Sequence, residues 1–416
     1  MVLGSGARAL GMGGAFLARA DDATAASWNP AGLSYLRLPE VSFVYSGSNL
    51  RSAELAPSSL TEDERHGHAP DFFAIAYPFD LHGWGGAAQV SYQRQILFGG
   101  DRTITETSLD AETGEIASRP AEVTSEGGYD VIALATGVVL RGHLRVGVAV
   151  NRWFNGYHQT LDRDTVRVGT PGHTTQTSDY DLSGWNVNLG LMWTPREGLN
   201  LGFVYKTAFT GDVVLNKSRT DSLFVEGSVP TTNQASSADP NLAPVTLDIP
   251  AAVGVGASWR PRSRLTLSAD YTRTFWSKGQ INNFFVLPAR SAPNRPAPAI
   301  PFPPLPYPTL DPTQAQHDTV QVRGGVEFVF ILGRLKWPIR GGAFSDRQYV
   351  QAADGTAPHF LGLTVGTGLV LGPVLLDVAY MHETGDYNAV SPEGTRPTSV
   401  SSSRVIGSVI YRFNRH

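Results

Sequence analysis

Cysteine is absent from all 416 residues. Disulfides and cysteine-based metal sites are therefore excluded. The absence also mildly favours an envelope or secreted setting, because cytosolic proteins usually keep some thiols. Charge is sparse, at 17% of residues with a net of -4, so there is no basic face for nucleic acid. No stretch reaches the roughly 18 apolar residues a membrane helix needs. The longest apolar runs, such as Val131 to Leu140, are interrupted by Thr and Gly. A chain of this kind that crosses a membrane must cross it with strands. No basic and apolar leader precedes the first glycine-rich motif, and Met1 reads as a late start on a mature chain.

Glycine (44 residues) and aromatics (10%) are what the chain has instead. Beyond Leu36 its pattern has period two. In RLTLSADYTRT, Leu265, Leu267, Ala269 and Tyr271 fall on one face and Thr266, Ser268, Asp270 and Thr272 on the other. SGWNVNLGLMWT, LNLGFVYKTAF and PVLLDVAYMHE alternate in the same way. Such alternation marks strands with two different environments. In a soluble sandwich the apolar face is the core; in a membrane barrel it faces lipid.

Connection lengths decide between the two. Fourteen strands are expected, starting near Pro39, Asp71, Trp84, Gly127, His143, Thr177, Leu199, Val245, Arg264, Asp318, Trp337, His359, Pro373 and Ser401. Short turns, as at Arg141–Gly142 and Pro195–Gly198, alternate with long polar links, as at Arg51–Pro70 and Gly99–Glu126. Tight turns at one end and long loops at the other are the pattern of an outer-membrane barrel. The expected fold is thus all-β, a transmembrane antiparallel barrel over 39–416, with long loops outside and both termini periplasmic. Trp84, Trp193, Trp259 and Trp337 flank short turns, while Trp153, Trp185 and Trp276 lie towards the long links; two interfacial girdles would place them so. The last strand ends in VIGSVIYRFNRH, with an aromatic at Phe413 suited to recognition by barrel-assembly machinery.

The opening 38 residues differ. Asp21 or Asp22 is expected to cap a short helix over Ala23–Trp28. Pro30 is expected to end it or to start a second turn over Ala31–Leu36. A piece this small cannot stand alone, and a wide lumen is the cavity available to hold it. The stretch GARALGMGGAFLARADDATAASWNPAGL resembles the N-terminal hatch of the FadL/TodX family of outer-membrane transporters for long-chain fatty acids and other hydrophobic compounds. Leu247–Ser277, Val320–Phe328, Pro338–Phe344 and Phe360–His382 resemble later parts of that family. The resemblance implies a fourteen-stranded barrel of the bacterial outer membrane with a hatch over 1–38 inside it. It implies passive uptake of a fatty acid or hydrocarbon, in whose place detergent can sit, gated by movement of the hatch. Asp21, Asp22, Asn29, Pro30, Ala31 and Gly32 are the hatch residues it singles out. Relative to the family, the piece before the glycine-rich part is short.

A fatty-acid site needs apolar surface, worth about 0.8 kcal/mol per buried CH₂, and a cation or N–H groups for the head. Inward candidates by alternation are Lys206, Arg323 and Arg340, each also able to join a charge network with Asp270, Glu327 and Asp377. No nucleophile elbow, phosphate loop or zinc spacing is found, and His143, Asp270 and His382 do not assemble into a catalytic set. The reading is not an enzyme, with no cofactor. His66 and His68 lack further ligands nearby, which argues against metal. GMGGA is spaced loosely like a dinucleotide loop, but no strand precedes it. The proline-dense segment Pro288–Pro312 reads as an extended outside loop. Outer-membrane lipid is the expected surround, and a monomer the expected state. An accessory barrel that binds secreted or surface proteins is the alternative function.

Overall fold

The computed structural model describes residues 4–56, 59–81, 83–109, 116–167, 170–223, 231–237, 245–278, 281–282, 317–348, 352–391 and 394–413. Fourteen strands form the wall: β1 Glu40–Ala56, β2 Ser59–Leu81, β3 Trp84–Leu97, β4 Ile116–Arg141, β5 Leu144–Phe154, β6 Thr170–Arg196, β7 Leu199–Lys206, β8 Ala252–Arg262, β9 Leu265–Thr274, β10 Thr319–Leu332, β11 Leu335–Arg347, β12 His359–Leu371, β13 Val374–Ser391 and β14 Gly394–Arg412. Each pairs antiparallel with the next. The ring closes where β1 meets β14, in register from Glu40↔Arg412 to Glu54↔Thr398. At this seam Arg412 Nε also donates to Glu40 Oε1 at 2.7 Å. Closure leaves no open edge, the only arrangement in which strands can sit in lipid.

The two faces are inverted relative to a soluble protein. Leu361, Leu363 and Val365 of β12 are exposed, with Leu363 at 68%, while Thr364 between them is buried at 3%. On β9, Leu267 and Tyr271 face out and Thr266, Ser268, Asp270 and Thr272 are buried. The apolar set covers the outside and the polar set fills the inside, which is stable only where the outside meets hydrocarbon. The short turns are tight because glycines such as Gly198 (φ 79°) and Gly372 (φ 60°) take the left-handed region that other residues resist.

The long polar links are mostly not loops. β4 and β6 run for 26 and 27 residues, past the ~9–11 that span a bilayer. Further strands at Gly100–Leu109, Gly156–Arg167, Phe209–Leu223, Thr231–Ser237, Val245–Ile249 and Ile281–Asn282 continue the pairing at that end. These segments are rich in Ser and Thr on both faces, so they pair as strands without showing the alternation that betrays a wall strand. The strand expected near Val245 divides here. Val245–Ile249 pairs with Phe209–Leu223, and the wall strand starts at Ala252, after Pro250, which has no N–H for a ladder. Pro288–Pro312 lies outside the described residues.

One tryptophan girdle forms as expected and the other does not. Trp84, Trp193, Trp259 and Trp337 are exposed near the short turns. At the opposite end Trp185 is exposed, but Trp153 and Trp276 are buried. The parity of β5 explains Trp153: it shares the inward face of Gly147, Ala149 and Asn151. Inside, it joins Phe98, Tyr129, Tyr157 and Tyr180. Arginine placed mid-span on the outer face should destabilise the barrel: Val365→Arg is expected to cost about 2–4 kcal/mol in urea unfolding from lipid vesicles. No change in the midpoint would place Val365 outside the hydrocarbon.

Candidate functional site

The residues before β1 fill the lumen. They form only short turns: α1 at Ala7–Gly11, α2 at Ala25–Trp28, and a 3₁₀ turn at Pro30–Tyr35. Phe16, Leu17, Ala20 and Leu33 are fully buried, and Phe16 meets Trp28 edge-on with ring centroids 5.9 Å apart. The acids do not cap α2 as expected. Thr24 holds the cap position without a side-chain cap bond. Asp22 Oδ1 instead accepts from the Thr24 amide at 2.9 Å and its hydroxyl at 2.6 Å. This closes an Asx turn and shortens the helix to four residues. Asp21 is taken by ion pairs to Arg8, at 2.6 Å, and to Arg19.

Asn29 joins segment to wall. Its Nδ2 donates to the carbonyls of Leu17 (3.0 Å), Leu191 (3.2 Å) and Phe203 (3.4 Å), and its Oδ1 accepts from the Ala31 amide at 3.2 Å. Leu191 and Phe203 belong to β6 and β7. One side chain thus caps the 3₁₀ turn, ties the segment to itself and bonds two strands. Pro30 sits at the first position of that turn, where its missing N–H is not needed. The turn lies on glycines in register across three strands: Gly137↔Gly147 and Gly147↔Gly190. A Cβ on Gly147 would stand 2.3 Å from the Ala31 nitrogen, and one on Gly190 2.1 Å from Asn29 Oδ1. Gly32 is needed within the segment itself, since a Cβ there would lie 1.7 Å from the Ala20 carbonyl oxygen. A second pair, Gly325↔Gly342, receives Met12 and Gly13 in the same way.

Wall side chains satisfy the backbone of the segment. Asp270 Oδ2 accepts from the amides of Phe16 (2.6 Å) and Leu17 (2.8 Å). Glu40 Oε2 accepts from Ala23 at 3.0 Å. The Thr364 hydroxyl accepts from Gly13 at 2.9 Å and donates to the Gly11 carbonyl at 3.2 Å. Nothing in the sequence marks these pairings, because partners such as Gly13 and Thr364 lie 351 residues apart.

The charged candidates separate into two groups. Arg340 donates to Glu327 at 2.8 Å and to Asp377 at 2.6 Å. Arg8 and Arg19 also reach Glu327, each at 3.5 Å. Three arginines and four acids, counting Asp21 and Asp22, thereby bridge segment and wall near the short turns. Arg323 lies towards the other end and lines a cavity of about 300 Å³. It is 8% exposed; its Nη2 donates to Gln321 Oε1 at 2.5 Å, and its buried Nη1 has no hydrogen-bond partner among the described residues. Lys206 shares the inward parity of Gly202 and Val204 on β7 and lies within electrostatic reach of Arg323.

Gly6, Gly13, Gly14 and Trp28 form the floor of the cavity, so the segment separates it from the charge network. Phe98, Trp153 and Tyr157 line one side, and Arg323 of β10, Asp346 of β11 and Gln348 just past β11 come from across the ring. Sequence reasoning missed the pairing of Asp71 with Arg404, also at the cavity; Asp71 accepts from Ser5 and Arg404 and holds the segment's start. His66 and His68 are exposed on β2, and among the described residues no group of three metal-ligating side chains gathers.

The sequence profile of the BamG family matches residues 6–290, most of the segment and the wall through β9. The chain belongs to the BamG family. No curated protein matches it. Solved structures share the fold at low identity. The toluene transporter TodX of Pseudomonas putida is 14% identical with a TM-score of 0.61 and covers 100% of both chains. A FadL homologue of Pseudomonas aeruginosa is 13% identical with a TM-score of 0.61, covering 100% of this chain and 99% of its own. The monoaromatic hydrocarbon channel CymD is 13% identical with a TM-score of 0.60 at the same coverage. The FadL/TodX resemblance therefore holds for this BamG-family chain as a likeness of fold.

Removing the amide should loosen the segment. Asn29→Ala removes the bonds from Nδ2 to the Leu17, Leu191 and Phe203 carbonyls, at about 1–3 kcal/mol for a carbonyl left dry. Asn29→Asp should be worse, since it sets a carboxylate oxygen against the same carbonyls. Trypsin cleavage after the partly buried Arg8 and Arg19 reads the loosening, and cleavage no faster than in the wild type in both variants would contradict it. Gly325→Ala should act in the same direction, while Gly324→Ala, where a Cβ would meet nothing within 4 Å, should leave the wild-type pattern.

Proposed function

We propose that this barrel lies in the bacterial outer membrane and passes hydrophobic small molecules by passive diffusion, gated by rearrangement of the N-terminal segment as a hatch. The observation that carries the reading is the cavity walled by the strands and floored by the segment. Its walls mix aromatic side chains with a few buried polar groups, the composition of a small-molecule site. The fold, shared with channels whose titles name toluene and monoaromatic hydrocarbons, supports the same class. Fatty acids and aromatic hydrocarbons both fall within it. Of the three cations considered, Arg323 is the one that lines the cavity, and Arg340 is engaged by Glu327 and Asp377.

Gating in this reading means exchange of the bonds of Asn29 and of the Arg8–Asp21–Asp22–Glu327 cluster for others, with no net burial of new apolar surface. The short turns would face the periplasm, with both termini on that side. The exposed pair Tyr411–Phe413, with centroids 4.7 Å apart at the end of the closing strand, supports delivery by barrel-assembly machinery. One observation favours a second reading. The paired polar hairpins beyond the bilayer-spanning part form a surface suited to partner proteins, as in a non-transporting accessory barrel.

Uptake separates the two. Cells lacking their own transporter should take up labelled oleate, toluene or octan-1-ol faster with the protein than without it, and Asn29→Ala should change that rate. Rates equal to those of empty cells for all three compounds, from a folded and surface-exposed barrel, would remove the transport reading and leave the accessory one.

A further inference from the structure

Three neighbouring hairpins at the short-turn end share one irregularity. β4 pairs with β5, β6 with β7 and β8 with β9, and each ladder loses register just before its turn: between Val139 and Arg141, between Trp193 and Arg196, and between Trp259 and Arg262. Beyond each shift the closing pair is an arginine opposite a leucine: Arg141↔Leu144, Arg196↔Leu199 and Arg262↔Leu265. The other three hairpins at this end close on Leu81↔Trp84, Leu332↔Leu335 and Leu371↔Val374, with no shift and no arginine in the pair.

The shift decides which way each arginine faces. Simple alternation along β4 would put Arg141 on the inward face of the buried Val131, Ala133 and Ala135. Arg196 is likewise in step with the buried Met192, and Arg262 with the buried Ser258. Residues directly opposite in an antiparallel ladder share a face. Leu144, Leu199 and Leu265 are in step with Val150, Phe203 and Leu267, which are exposed on the outside. Each bulge thus turns a cation from the lumen to the lipid-facing side, a re-aiming typical of bulges at barrel rims. The leucines lead on to aromatics in the next ladder. Leu144 is opposite Trp193, Leu199 opposite Trp259 and Leu265 opposite Phe328, and all three rings are exposed. The outer face therefore repeats arginine, leucine, aromatic three times along one arc of the rim. Interfacial tryptophans mark the level of the headgroups, so the arginines reach phosphate depth. Successive hairpins stand two strands apart, roughly 10 Å, and backbone bonds fix them to one another. The Thr194 amide donates to the His143 carbonyl at 2.9 Å, and the Arg260 amide to the Gly198 carbonyl at 2.7 Å. Arg141, Arg196 and Arg262 are exposed, and among the described residues their side chains have no ion-pair or hydrogen-bond partner. Glu197 is the one acid in the three two-residue loops, against Arg264 and His143.

We propose that this arc binds anionic phospholipids, each arginine taking a headgroup phosphate while the leucine and aromatic beside it hold the acyl chain. The planar guanidinium matches phosphate with two parallel hydrogen bonds, and the net positive charge of the arc favours lipids with a net negative one. The proposal rests on the reading that sets the short turns at the periplasmic side of an outer membrane, and it goes beyond that reading in giving the rim a lipid preference. Lipid is favoured over an acidic protein because the register aims the three arginines at the bilayer and not below it.

The test uses the full chain in phosphatidylcholine vesicles, with brominated phosphatidylglycerol or brominated phosphatidylcholine as quencher of tryptophan fluorescence. Trp193 and Trp259 stand in the arc and report on it. Phosphatidylglycerol should associate at least about fivefold more strongly than phosphatidylcholine, the value of one cation beside an anionic surface. Arg141→Gln, Arg196→Gln and Arg262→Gln together, checked for folding by heat-modifiability on gels, should bring the ratio near one. Arg334→Gln, in a hairpin without the shift, should leave it unchanged. Each single variant should lower the ratio if the triple variant fails to fold. Equal association of the two lipids with the wild-type protein, or a ratio that survives the three substitutions, would overturn the proposal. Displacement of phosphatidylglycerol by polyglutamate or by excess inorganic phosphate would overturn it too, giving the arc to an acidic protein or to a soluble anion. The measurement involves no uptake, so failure of the transport reading leaves its outcome untouched.

Discussion

Asn29 is the point at which the lumen segment and the wall become one structure. Some thirty residues with little regular secondary structure are packed inside a barrel, where each backbone N–H and C=O needs a partner. A longer helix would satisfy its own groups and need few bonds to the wall. This segment has only three short turns, so the wall must supply the rest. Asn29 can do so in both senses, because an amide donates and accepts at once. It caps one turn with its oxygen and holds β6 and β7 with its nitrogen. Asp270 and Glu40 play an accepting-only version of the same part, and the Thr364 hydroxyl, like Asn29, both accepts and donates.

That constraint also dictates the glycines. Backbone-to-backbone approach requires that no Cβ intervene, and Gly137, Gly147 and Gly190 stand side by side where the Pro30–Tyr35 turn lands. The short-turn side of the segment is then free to carry charge. Buried ion pairs give little net stability over a well-packed apolar contact, but removing one partner costs several kcal/mol, on the order of 3–5. The Arg8, Arg19 and Arg340 cluster therefore specifies how the segment sits more than how strongly it is held. On the other side the cavity collects the aromatic residues and Arg323, so the segment divides the lumen into two chemically different halves.

Much of the wall was legible before any coordinates. The alternation in RLTLSADYTRT survives as an exposed apolar face and a buried polar one, because lipid outside and a packed lumen inside give each strand two environments. The short turns were legible through their glycines. The continuation of strands into Arg51–Pro70 and Thr384–Val400 was not, since Ser, Thr and charged residues on both faces carry no periodic signal. Trp153 could have been placed by parity with Gly147 and Asn151, whereas position along the chain alone suggested a girdle. In the lumen segment, the residues of ADDA and NPAGL stood out, but their roles did not. Asp22 forms an Asx turn instead of a cap, and the partners of Asn29 lie 162 and 174 residues away. The wall glycines that matter are chosen by register, which a single sequence does not display.

The nature of the seal follows from what it is made of. Interdigitated apolar side chains resist sliding, because any shift opens voids and loses many small contacts together. Small residues on glycine, joined by a few directed hydrogen bonds, present a smoother surface with its energy concentrated at particular atoms. Displacing the segment by a bond length breaks the Asn29, Asp270 and Thr364 contacts almost together. The ion cluster, with more acids than arginines, can meanwhile exchange partners without stranding a cation. A plug assembled this way is firmly positioned when its directed bonds are made. Satisfying the backbone of an irregular segment inside a barrel therefore concentrates its hold at a few atoms, and under the proposed gating those are the points at which it would be released.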